Sequence, residues 1–124
     1  MVKNVIVADD RENWRKMYVA VLSSAFPDVH IDEVETGSDL VKRVLEGNYS
    51  VVISDNDMES RNNGLEALQQ IRLSGNNVPF YLVSAKGSAV ERDAISYGAT
   101  CFYNKVLFDS DKLIADITQY LGKN

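Results

Sequence analysis

The residues of this sequence whose types could do chemistry together are Asp9 and Asp10, Asp55 and Asp57, Ser84 and Lys105. Grouped carboxylates repel one another and destabilise a fold unless a cation joins them. Mg²⁺ suits such a group, because it prefers carboxylate oxygens, keeps several waters and is commonly completed by phosphate oxygens; Mn²⁺ can substitute. A lysine ammonium pairs with a phosphate as a point charge, and a serine hydroxyl offers a further donor. A carboxylate in such a setting can itself be the nucleophile and form an acyl phosphate. Taken singly, each residue has a plain structural role. Asp9-Asp10 can be a turn and helix cap, Asp55 a turn residue, Ser84 a cap and Lys105 a solvated charge. The set gains meaning only if the fold gathers it.

The elements that must position these residues alternate along the chain. Val5, Ile6, Val7 and Ala8 form a short continuous apolar run, as in a parallel strand covered on both faces. Trp14, Met17, Tyr18, Val21, Leu22 and Ala25 then recur at helical spacing, and Pro27 stops that helix. Residues 29–34 alternate apolar and polar, which suits an edge strand. Ser38-Asp39 can cap a second helix over 40–46, closed by Gly47. Val51, Val52 and Ile53 make the third strand. Leu65, Leu68 and Ile71 mark a helix ending near Gly75, and residues 80–83 the fourth strand. Val90, Ala94 and Tyr97 mark a helix that Gly98 stops. Cys101, Phe102 and Tyr103 are the fifth strand, and Leu113, Ile114, Ile117, Tyr120 and Leu121 the last helix.

Five strands alternating with five helices predict a flavodoxin-like doubly wound α/β fold, a parallel sheet in order 2-1-3-4-5 with helices on both faces. Strands 1, 3, 4 and 5 are then neighbours. Asp9-Asp10, Asp55, Ser84 and Lys105 all stand at their carboxyl ends, on the crevice where open α/β sheets bind ligands. The site reads as one for a phosphoryl group beside a metal. Asp57 and Lys86, each two residues beyond Asp55 and Ser84, face each other across its mouth and can pair as a gate over it.

The composition bounds the rest. The 124 residues are read as one domain, 1–124, and 45% hydrophobic content suffices for a core without staples. A net charge of −5 with no basic run argues against nucleic-acid binding. No apolar run approaches membrane-spanning length. The one cysteine, Cys101, cannot form an internal disulfide and reads as a small buried apolar residue. A cytoplasmic location is expected.

Asp9-Asp10, the segment 51–58 (V-V-I-S-D-N-D-M), Gly64, Val83-Ser84-Ala85, Gly98-Ala99, Phe102 and Lys105 together resemble the receiver domain of two-component response regulators. The resemblance covers essentially the whole chain. It implies that Asp55 is the phosphoacceptor, with Mg²⁺ held by Asp10 and Asp55, by the Asp57 carbonyl and, through water, by Asp9. It implies that Ser84 and the Ala85 N–H contact the phosphoryl oxygens, that Lys105 pairs with them, and that Ser84 and Phe102 form the switch. A histidine kinase or phosphotransfer protein would be the donor. The output would pass through the face of the fourth helix, fifth strand and fifth helix to a separate protein, the chain being a monomer or a phosphorylation-dependent dimer.

Three positions depart from the family pattern. Glu59 and Val106 stand where proline is usual, and Phe102 lacks the hydroxyl of the more familiar tyrosine. A non-proline cis bond costs about 2.5–4 kcal/mol, so Lys105-Val106 is expected to be trans. Other classes share parts of the pattern. Asp55-Asn56-Asp57 reads as the D-x-D of a metal-dependent phosphatase, although that motif follows the first strand there. A receiver-like binding module would need no acceptor, and an FMN binder would need a Ser/Thr-rich loop after the first strand.

Overall fold

The computed structural model describes residues 2–122; Met1, Lys123 and Asn124, which fall within the 1–124 expectation, lie outside the described residues. Strands β1 (Asn4–Ala8), β2 (His30–Val34), β3 (Val51–Asp55), β4 (Phe80–Ser84) and β5 (Cys101–Asn104) alternate with helices α1 (Glu12–Ala25), α2 (Gly37–Glu46), α3 (Asn63–Leu73), α4 (Ser88–Ser96) and α5 (Ser110–Leu121). A single 3₁₀ turn, Lys105–Leu107, follows β5. All strand pairs are parallel, in order β2-β1-β3-β4-β5.

Alternation along each strand sorts the apolar residues into two cores. Val5, Val7, Val51, Ile53, Tyr81, Val83 and Tyr103 face α1 and α5, where they meet Tyr18, Leu22, Leu113 and Ile117. Ile6, Ala8, Val52, Phe80 and Leu82 face the opposite layer and pack on Leu40, Val44, Leu68, Ile71 and Ala94. Burying a large apolar side chain of this kind stabilises the fold by about 1.5–3 kcal/mol. Both cores share β3, which is buried along its whole length, so the strand that ends in Asp55 is held from both sides. At the β2 edge only Val34 is buried, which accounts for the polar alternation of that strand.

Helix ends follow local chemistry. Phe26 closes α1 directly before Pro27. Gly98 follows α4 at φ +99°, a conformation that side-chain-bearing residues rarely adopt, and the next amide, Ala99, donates back to the Ala94 carbonyl at 2.9 Å. The cap of α2 is a correction: Thr36, not Ser38-Asp39, caps it, its hydroxyl accepting from the Asp39 N–H at 3.1 Å. Cys101 is half-buried rather than buried, since β5 is the other edge of the sheet.

The register sets the strand ends nearly level. Ala8 pairs with Ser54, Asp55 with Val83, and Ser84 with Asn104. The residues that follow β1 and β5 therefore emerge beside the last residues of β3 and β4.

Candidate functional site

Asp9 is fully buried at the exit of β1. Its backbone N–H donates to the Val34 carbonyl at 3.1 Å, and Arg15 from α1 holds its carbonyl at 2.8 Å while also reaching Glu33 at 3.1 Å. The carboxylate accepts from the Arg11 N–H at 2.9 Å and from the Lys105 ammonium at 2.9 Å. Lys105 lies 3.4 Å from Asp55 Oδ1, with only 12% of its side chain exposed. One oxygen each from Asp9, Asp10 and Asp55 falls within 4.8 Å of the others.

This concentration of negative charge acts on Asp55. Burial, then the neighbouring Asp9 charge, push its pKa up to about 6, while Lys105 works in the opposite direction. Three carboxylates of which two are buried, with one ammonium between them, form a set that a hard divalent cation fits. The Asp57 carboxylate does not join the cluster. It accepts from the Asn62 N–H at 2.8 Å and meets the Lys86 ammonium at 3.3 Å, across the mouth of the site.

The loop between β3 and α3 is held by asparagines. Asn56 is fully buried; its side chain accepts from the Leu65 N–H at 3.0 Å and donates to the Asn62 side chain at 2.9 Å. Asn63 accepts from the backbone of Met58 and Ser60. Asn62 takes the left-handed conformation at φ 63°. Glu59, in the position where a proline is usual, ties the loop to α2: its carboxylate accepts from the Gly37 N–H at 3.1 Å, at the positive end of that helix. These asparagines escape a sequence reading, because Asn in a loop signals a turn without naming its partners.

On the far side, Ser84 is buried at the end of β4, with its hydroxyl accepting from the Lys86 N–H at 3.0 Å. Ala85 and Lys86 are exposed in the turn beyond. Phe102 is opposite Leu82 in the β4–β5 register and, half-buried, packs on the core beneath α4, on the same sheet face as Ser84. No peptide bond among the described residues is cis, so Lys105-Val106 is trans. The chain turns there through the 3₁₀ segment, where the Asn104 side chain accepts from the Val106 N–H at 2.9 Å.

A groove of about 700 Å³ lies elsewhere. Lys3, Phe26, Val29, Ile114 and Leu121 line it at the opposite end of the sheet. Its walls are mostly apolar and bring no set of titratable groups together, so the acidic cluster remains the site with chemistry. Among the described residues no helix is long and apolar enough to cross a membrane.

Comparison with known proteins agrees with this geometry. A family model described as the response regulator receiver domain matches residues 5–118. No curated protein sequence matches. Among solved structures, the response regulator TrrA of Thermotoga maritima, in complex with Mg²⁺–BeF, is 28% identical with a TM-score of 0.80, over 95% of this chain and 98% of that one. The chemotaxis response regulator CheY4 of Vibrio cholerae is 20% identical with a TM-score of 0.82, over 97% and 99%. A DNA-binding response regulator of the LuxR family from Staphylococcus aureus is 24% identical with a TM-score of 0.84, over 97% and 99%. The family match begins inside β1 and ends inside α5, taking in all five strands and the whole acidic cluster, and the chain therefore belongs to the response regulator receiver domains, signalling domains of two-component systems.

Proposed function

We propose that this receiver takes a phosphoryl group onto Asp55, with Mg²⁺ bound, from a histidine kinase, a phosphotransfer protein or a small phosphodonor. The observation that carries the reading is the Lys105 ammonium, set between Asp9 and Asp55 beside three clustered carboxylate oxygens. Asp9, Asp10 and Asp55 would hold the metal, which supplies positive charge against their mutual repulsion and a partner for phosphate oxygens.

In the transfer, an Asp55 carboxylate oxygen bonds to phosphorus as the donor's bond to phosphorus breaks, and the donor leaves with that electron pair. Asp55 must be ionised to attack, and Lys105 favours the ionised form. The modified side chain carries roughly −1.5 to −2 charge. Lys105 meets it directly, and the Ser84 hydroxyl can turn from the Lys86 N–H to donate to it. Phe102, on the same face and without a hydroxyl of its own, then repacks, and the α4–β5–α5 face changes toward a protein partner. Incubation with Mg²⁺ and acetyl phosphate, followed by intact-mass measurement, should show the gain of one phosphoryl group, blocked by EDTA. No gain with Mg²⁺ present would refute the assignment.

The Asp57–Lys86 pair bears on the lifetime of that group. Both side chains are substantially exposed, so the pair contributes only about 0–1 kcal/mol to stability. Its role is kinetic, covering the path of an attacking water. Asp57→Ala and Lys86→Ala should each speed acyl-phosphate decay, and the double variant should add nothing further. Decay at the wild-type rate in both single variants would eliminate the gate.

A further inference from the structure

Lys105 has a third neighbour besides the two carboxylates. Its ammonium lies 4.5 Å from the centroid of the Trp14 ring, over the indole face. Trp14 comes from the first turn of α1 and is itself held from two sides. It meets Phe108 edge-on at 5.7 Å and Tyr18 at 5.9 Å. Tyr18 and Phe108 are T-shaped at 5.7 Å, and Phe108 in turn meets Tyr103 at 6.0 Å. The aromatic group thus spans α1, the end of β5 and the segment just after Lys105.

The three contacts of the ammonium differ in kind. Asp9 and Asp55 attract it by charge, but a cation held by Asp9, Asp10 and Asp55 draws on the same oxygens, as does any change of charge on Asp55. The indole face attracts the ammonium through its quadrupole. That attraction does not pass through the carboxylates, so competition for their oxygens leaves it in place. An aliphatic side chain at position 14 would fill the space without supplying it.

We propose that Trp14 is a positioning residue for Lys105, seating the ammonium at the acceptor while the carboxylates take up other partners. The proposal rests on the phosphoacceptor reading of Asp55. Trp14→Leu keeps an apolar side chain and removes the π face, whereas Trp14→Phe keeps a smaller one. With acetyl phosphate and saturating Mg²⁺, Trp14→Leu should slow phosphorylation of Asp55 roughly five- to tenfold, and Trp14→Phe should stay within about twofold of wild type. In a Lys105→Ala background, Trp14→Leu should have no further effect, because it acts through the lysine. In the unphosphorylated chain, the ε-methylene protons of Lys105 should show an upfield ring-current shift that Trp14→Leu abolishes.

A wild-type rate in Trp14→Leu would overturn the proposal. So would equal slowing with and without Lys105, or an unshifted Lys105 methylene in the wild-type chain. Should Trp14→Leu fold poorly, Trp14→Phe and the wild-type Lys105 shift decide the matter. A chain that shows the Lys105 shift yet gains no phosphoryl group would defeat the function itself and the positioning role with it. Normal uptake in Trp14→Leu would defeat the positioning role alone.

Discussion

Replacing Asp55 by asparagine is expected to abolish phosphoryl uptake and, in the metal-free chain at neutral pH, to make the fold more stable. The first outcome follows because an amide is a far poorer nucleophile than a carboxylate and no other carboxylate in the cluster is paired with Lys105 while ending β3. Asp9 is fully buried and engaged by the Arg11 N–H, and Asp10 is exposed. The second outcome follows from the raised pKa of Asp55, about 6 against an ordinary value of 3.8. A carboxylate whose folded pKa is raised contributes most below its unfolded pKa, and that contribution is lost as pH rises through the folded value. Above about pH 6, ionised Asp55 therefore costs the fold stability. The groups that act on it are Asp9, which raises the cost, and Lys105, which lowers it. Thermal unfolding in EDTA should place Asp55→Asn above wild type at pH 7.5, with the gap closing toward pH 4. Mg²⁺ should stabilise wild type more than the variant. A full phosphoryl mass gain in Asp55→Asn, or a variant less stable than wild type at pH 7.5, would contradict the account.

Gly64→Ala should be the most damaging single methyl in the molecule. A Cβ there would collide with the Asp55 carbonyl oxygen and sit 2.8 Å from the Asn56 Cα and 2.8 Å from a Leu82 methyl. Two of these atoms are backbone and cannot rotate away. The first turn of α3 lies against the end of the acceptor strand, its Gly64 N–H donating to the Asn56 carbonyl at 2.7 Å, and only a residue without Cβ permits that approach. Relief requires moving α3 or the strand end. Overpacking of this kind costs about 3 kcal/mol. Displacing Asp55 by even about 1 Å should slow its phosphorylation around a hundredfold. Urea unfolding and acetyl-phosphate uptake measure the two effects. Stability within about 0.5 kcal/mol of wild type would mean the contact yields more easily than its geometry states.

How far the sequence could be read depended on whether a residue's type implies its partners. Asp9, Asp55, Ser84 and Lys105 each follow or end a short apolar run, and once the strand order is 2-1-3-4-5 they must share one edge of the sheet. That inference needs no side-chain detail. Trp14 is different. Its spacing with Tyr18 and Leu22 is that of a core stripe, and periodicity cannot separate a ring packed in the core from one that also lies against an ammonium. Ala25, in the same stripe, is exposed, because α1 ends beside the open groove at the base of the sheet. Tyr97, just beyond the end of α4, likewise keeps 37% of its surface exposed. The α2 cap falls at Thr36 rather than at Ser38-Asp39 because all three residues carry capping side chains and only the backbone decides which one caps. Glu59 gave no sign of its contact with Gly37, which joins residues far apart in sequence across two loops.

The placement of Trp14 has an optical consequence. It is the only tryptophan in a chain with six tyrosines, so light at the red edge of aromatic absorption enters through one chromophore. That chromophore lies directly beneath the ammonium at the acceptor. The excited indole has a larger dipole than the ground state, and its emission colour follows the local electric field. Tyr18, with its ring centre 5.9 Å away, hands its own excitation on to the same indole. The emission spectrum of the unlabelled chain is thus a gauge of the field at the acceptor, readable on the timescale of mixing and in dilute solution.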